Sequence, residues 1–312
     1  MKKIMYVMSA LAAVFSGNAL ADVSVSGSGQ FNYTSSGSSG YASTSGGISF
    51  ALSTTTAGGV AISTSGGITQ DAEGTASDGH TGFTSLAFAT GGTTITLSND
   101  VSAGSVGSVG GVASGLVDVG HDTIDASPAL AVGDADGGGV AIATSLGDAA
   151  VTATYVWDTT PETQGQTDTS AANTVTGVKI SLPMGPLTVS ASHVMYNPGG
   201  AGTDDTMSGA SAAYAVGGGT LTLGYETSTG TTKATETSGA YSMSLDADTT
   251  IAVGYTQADE GATSASITEA KVTRALGGGA SVFAEYINKG GDTGTTTSGE
   301  TSSFAVGTSV SF

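Results

Sequence analysis

The side chains in this sequence that could do chemistry are few and unevenly distributed. There are three histidines, His80, His121 and His193, no cysteine, and serine throughout. A Ser/His/Asp hydrolase needs its three groups in fixed geometry. Where serine is this common, one falls near any histidine by chance, so the types alone do not make a triad. Without cysteine there is no thiol nucleophile, zinc ribbon or disulfide framework. The Gly-rich stretches contain no G-x-x-x-x-G-K-[ST] and no strand–G-x-G-x-x-G–helix context, so they are not phosphate cradles. The acid pairs Asp134/Asp136, Asp204/Asp205 and Asp246/Asp248 offer oxygens to Ca²⁺, but none follows a defined calcium-loop pattern, and Asp246-Ala247-Asp248 reads more simply as a turn. No enzyme activity and no cofactor are therefore expected.

What remains is electrostatic. The chain carries 26 Asp+Glu against seven Lys+Arg, a formal charge of −19. So little base excludes nucleic acid, whose phosphates need clustered Lys and Arg. Five of the acids, Asp118, Asp122, Asp125, Asp134 and Asp136, fall with His121 and without any Lys or Arg in the stretch 101–137. Other charged residues recur at regular parity in apolar-alternating segments: Lys179, Glu226, Glu236, Glu269, Lys271 and Glu285.

The elements that would position them are strands. Only 11% of the 312 residues are charged, 38% are apolar and 50 are Gly; Gly, Ser, Thr and Val are poor helix formers. Period-2 alternation is the dominant pattern. Val23, Val25, Phe31 and Tyr33 share one face of the first segment, with Ser24, Ser26, Ser28, Gln30 and Asn32 on the other. The same stripe recurs in Ile48, Phe50, Leu52, in Leu221, Leu223, Tyr225, in Ile251, Val253, Tyr255 and in the closing Phe304, Val306, Thr308, Val310, Phe312. Seven short Gly, Asp or Pro breaks interleave with eight longer polar stretches. These fifteen connections join sixteen strands, near 22–34, 41–55, 58–69, 82–90, 93–100, 138–146, 149–158, 170–183, 186–197, 206–217, 219–229, 233–245, 248–258, 265–276, 279–289 and 301–312.

Residues 1–21 stand apart. Lys2 and Lys3, the apolar run Ile4 to Phe15 and Ala19-Leu20-Ala21 make a secretory signal peptide. Its removal takes both lysines with it and moves the formal charge from −19 to −21. No later run of 18 apolar residues follows, so no spanning helix is expected. An even number of antiparallel strands with short turns at one end and long loops at the other is instead the plan of an outer-membrane β-barrel, residues 22–312. In lipid every backbone group must be paired, which forces the sheet to close. Apolar stripes then face lipid and Ser/Thr/Gly faces line a lumen that sixteen strands leave too wide to fill. Trp157, Tyr33, Tyr155, Tyr225, Tyr241, Tyr255 and Tyr286, near strand ends, read as girdles at the lipid interface.

The opening Asp22-Val23-Ser24-Val25-Ser26-Gly27, the hairpin sequence GGGASVFAEYINKG at 277–290 and the terminal Phe312 resemble the general diffusion porins of Gram-negative bacteria, in their alphaproteobacterial sixteen-strand form. The resemblance implies a homotrimer in the outer membrane, a terminal aromatic that signals barrel insertion, and a long loop after the fifth strand that folds inward. Residues 101–137 match that loop, which makes Asp118, His121, Asp122 and Asp125 the constriction candidates. Members of the family set an Arg/Lys cluster on the opposite wall; this sequence departs from them, with Lys179 and Lys271 the only wall candidates. The expected function is passive diffusion of ions and small hydrophilic solutes, with cations preferred. The competing reading is a secreted Gly/Ser/Thr-rich adhesin or filament. A solenoid of that kind would show a fixed repeat period, and these strands are irregularly spaced.

Overall fold

Alternating apolar and small polar residues commit a chain to strands whose two faces differ, and Gly pairs let it reverse tightly. Between Thr90 and Thr93 the turn Gly91–Gly92 has φ of 56° and 81°, the left-handed values that a two-residue hairpin requires. The computed structural model describes residues 21–36, 39–71, 79–81, 83, 85–101, 137–158, 174–197, 205–229, 233–261, 263–291 and 301–312. Residues 1–20, all but the last residue of the signal peptide expected at 1–21, and the acids of the 101–137 loop lie outside them.

Among the described residues the strands are β1(Ala21–Ser36), β2(Ser39–Thr55), β3(Ala61–Asp71), β4(Gly79–Thr81), β5(Ser85–Thr90), β6(Thr93–Val101), β7(Gly137–Leu146), β8(Ala149–Asp158), β9(Thr174–Met184), β10(Leu187–Asn197), β11(Asp205–Val216), β12(Gly219–Thr229), β13(Ala234–Ser244), β14(Thr249–Glu260), β15(Thr263–Gly277), β16(Ala280–Gly291) and β17(Thr301–Ser311). Apart from β4 and β5, each pairs antiparallel with its neighbours in chain order, and β17 returns to β1 from Ser28↔Ser311 to Ser36↔Ser303. The short β4 and β5 both pair with β3, at Gly67–Thr69 and Ala61–Ser63, so together they occupy one wall position. The ring therefore has sixteen positions and no free edge.

Two expectations change in detail. The strand expected at 82–90 starts only at Ser85, as β5, and the short β4 falls in the stretch 70–81 expected as a loop, with Phe83 exposed between them. Its sequence, Thr81-Gly82-Phe83-Thr84, does not sustain alternation. The loop expected at 259–264 is a tight reversal, with Glu260 paired to Thr263 and Gly261 at φ 60°.

Register sorts the faces. Ile48, Ile68, Leu86, Ile95, Ile142, Ile180, Leu223, Val253, Val272 and Val306 share the outer parity and are all exposed, as residues that meet lipid must be. A charged side chain at the lipid midplane costs about 2–4 kcal/mol. The outward Arg274 avoids this by sitting at the turn end of β15, beside Asp246 at 3.7 Å. Tyr33, Tyr155, Trp157, Tyr225, Tyr255, Tyr286 and Phe304 mark the loop side of the outer face, and Tyr214 and Phe312 the turn side. Tyr241 also belongs to the turn side, where its hydroxyl donates to Val216 O at 3.3 Å.

The seam is finished by the last residue. Phe312 N donates to Gly27 O at 3.0 Å and Gly27 N to Phe312 O at 2.8 Å. The far end of the Phe312 ring lies against Gly27, where any Cβ would strike it.

Candidate functional site

The inner wall carries the side chains that could act on a passing solute. On the turn side its inward residues are small, mostly hydroxylated and exposed, among them Ser26, Ser28, Ser49, Ser53, Ser63 and Ser65. Toward the loop side the wall changes character over β12 to β16. Glu226 on β12 stands directly across from Glu236 on β13. Glu269 and Lys271 share the inward face of β15, and Lys271 is directly across from Glu285 on β16. All four glutamates are buried, Glu226 completely. The arc is therefore mainly acidic, and Lys271 is set within it: Lys271 Nζ lies 2.6 Å from Glu285 Oε1 and 5.4 Å from the centre of the Phe283 ring.

Every wall residue singled out in the sequence takes inward parity, and the structure groups five of the six. Lys179 is the exception: on β9 it is exposed, between Thr152 of β8 and Ser192 of β10. No base faces the acidic arc from the turn-side wall of β1 to β3 among the described residues. The constriction candidates Asp118, His121, Asp122 and Asp125 lie outside the described residues; Val101 and Gly137, at the two ends of their loop, pair with each other.

Sequence reasoning missed two features. Lys289 has the inward parity of Glu285 and stands across from Ile267, a position that counting by twos along β16 would have found. The loop-side wall also holds apolar residues expected only outside: Val156, Val175, Val194 and Met207 form one buried cluster, and Ala258, Ala265, Ile267, Ile287 and Ala305 another. The runs Tyr155-Val156-Trp157 and Val194-Met195-Tyr196 signal this, since an unbroken apolar run supplies both faces of a strand.

The remaining chemical candidates come apart. His193, whose face the sequence left open, points outward with Nδ1 2.9 Å from Ser208 Oγ. That contact lies on the outer surface, not in a cleft. His80 is in β4. Asp246 forms a turn: its Oδ1 accepts from Asp248 N at 2.8 Å and Thr249 N at 2.7 Å. Those bonds, first the one from Asp248 N–H and then the Thr249 hydroxyl, with Arg274 adding to them, hold its carboxyl below the usual carboxylate range. Among the described residues no three His, Asp or Glu gather as a metal set.

No family model matches the chain, and no curated protein does. Solved structures do. An anion-selective porin from Comamonas acidovorans is 12% identical with a TM-score of 0.68, over 94% of this chain and all of that one. A Rh. blastica porin mutant is 16% identical with a TM-score of 0.62, over 93% of this chain and all of that one. The trimer form of OmpT, an outer membrane protein of Vibrio cholerae, is 13% identical with a TM-score of 0.66, over 94% of this chain and 99% of that one. The fold is that of the Gram-negative porins, a closed sixteen-position antiparallel barrel. At these identities the likeness is one of architecture, and the chain's own side chains have to supply the rest.

Proposed function

We propose that this protein is an outer-membrane porin: a passive, water-filled channel for ions and small hydrophilic solutes, without catalysis, preferring cations. The observation that carries the reading is the closed ring with an apolar outer face and a hydroxylated inner one. Such a wall is stable only with lipid outside and water within. Preference for cations is supported by the arc Glu226, Glu236, Glu269 and Glu285, which draws cations and repels anions in the way rings of carboxylates do. The similar Comamonas porin is anion-selective, so the barrel does not fix the sign; the wall charges do. Reconstituted protein should let small sugars and salts into liposomes. Its reversal potential across a potassium chloride gradient should have the sign of potassium permeation. Liposomes that do not swell would sink the channel, and a chloride-signed potential would sink the preference.

The protein is also proposed to work as a homotrimer. The outer surface of β1 to β3 mixes the small residues Gly29, Thr44, Gly46, Thr64 and Gly66 with the bulkier Ile48, Phe50 and Ile68. Next to it the β3 ladder is interrupted between β4 and β5. Lipid cannot satisfy backbone groups at such a break, but protein can. Sedimentation in detergent should give three protomers for the folded protein and one for folded Gly46→Trp. A monomeric wild type would refute this.

A further inference from the structure

Lys271 is enclosed on several sides. Glu285 is directly across on β16, Ala252 is across on β14, Glu269 precedes it by two residues on the same face, and the Phe283 ring lies beneath its ammonium at 5.4 Å. The Lys271 side chain is 22% exposed and that of Glu285 is 0% exposed, with 2.6 Å between Nζ and Oε1. A charge compensated at contact distance projects little field into a lumen where screening acts over about 8 Å at physiological salt. A lysine stem is long and flexible, so an ammonium that loses its partner reorients toward water. Losing one member of a buried pair also leaves the other uncompensated.

We infer that Glu285 is a specificity-determining residue of the channel: it holds Lys271 against the wall, and without it Lys271 becomes an anion-attracting group in the lumen. The four glutamates are then not equivalent. Removing Glu226 or Glu285 changes the charge of the arc by the same one unit, but the loss of Glu285 also lets the Lys271 ammonium leave the wall for the lumen, nearer the passing ions. The inference rests on the cation-preferring reading above and deepens it.

The test compares full-length, reconstituted wild type, Glu285→Gln, Glu226→Gln and the double variant Lys271→Met/Glu285→Gln, each checked for a folded band on an unheated gel. Two quantities are read: the rate at which a water-soluble acylating reagent modifies Lys271 relative to Lys179, and the cation-to-anion permeability ratio. Glu285→Gln should speed acylation of Lys271 about fivefold, the change expected when a pair of ordinary strength is lost. It should also lower the ratio more than Glu226→Gln does. Glu226→Gln should leave the Lys271 rate unchanged, and the double variant should recover most of the ratio lost in Glu285→Gln. An unchanged Lys271 rate in folded Glu285→Gln, or equal ratios in the two single variants, would overturn the inference. If Glu285→Gln does not fold, the exchange Lys271→Glu/Glu285→Lys decides. A wild-type ratio with slow acylation of the exchanged ammonium supports the hold, and fast acylation overturns it. A wild-type channel without cation preference would refute the earlier reading, while the acylation rates would still test the pair.

Discussion

Gly307 shows how little room is left where β17 meets β1. A Cβ there would come 2.5 Å from Phe31 O and 2.6 Å from Asn32 Oδ1, and would also strike the Phe283 ring. The first of these is backbone and cannot swing aside. Gly307→Ala should therefore cost about 1–3 kcal/mol, as forced overpacking does. Gly29→Ala, whose Cβ meets only Val310 at 3.6 Å, should stay within about 0.5 kcal/mol. The temperature at which the folded band is lost on a gel ranks them, and equal temperatures would contradict the packing. At the β13–β14 turn, Asp246 makes a prediction with a sign. Its carboxyl is held below the usual range chiefly by the Asp248 N–H. Its contribution should be complete above the unfolded carboxylate's pKa and disappear as pH falls through the lower folded value. Asp246→Asn should thus match wild type in acid and fall behind only at higher pH, by a small amount because the group is exposed. A difference that widened in acid would reverse the assignment. The wall charges were legible in the sequence because parity alone assigns a face. The inward cluster around Val156, Val175, Val194 and Met207 was not, because parity is silent where successive residues are all apolar.

The hairpins were the most legible elements, since each tight turn carries Gly or Asp at positions that need it and each flanking strand alternates. The exception is informative. Between β4 and β5 the wall has no regular ladder beside Thr64 and Ser65 of β3, and Thr64 Oγ1 reaches across to donate to Ser85 O at 2.6 Å. One side chain thus replaces a missing backbone donor, and nothing in the local pattern announces it. Thr64→Val keeps the shape and removes the donor. It should cost about 1–3 kcal/mol, the penalty for a carbonyl left unsatisfied away from water. Unfolding by urea from vesicles measures this, and a neutral result would mean that water or a partner protomer already serves Ser85.

For the molecule as a whole, the charge sum of −19 says only that acids outnumber bases; the fold decides that Glu226, Glu236, Glu269 and Glu285 gather over β12 to β16. Selectivity from such an arc depends on how far its field reaches into a wide lumen. The Debye length falls from about 10 Å at 0.1 M to about 3 Å at 1 M salt. The cation-to-anion ratio should therefore approach the ratio of free mobilities as potassium chloride is raised over that range. A ratio that did not change with salt would point to a narrow binding site rather than a diffuse field.

The clasp between Phe312 and Gly27 bears on how the protein comes to exist at all. The pairing that makes the barrel a barrel joins Ser28 to Ser311, so the decisive contact waits until β17 has been made. Contacts this distant in sequence make folding slow. Until the final strand arrives, β1 and β16 are two bare edges able to recruit strands from any neighbour. A peptide tag fused after Phe312 would press on the closing residue itself, whereas one placed in a loop would not. The same clasp sets a strict length requirement: a product short of β17 is an open sheet, ready to aggregate.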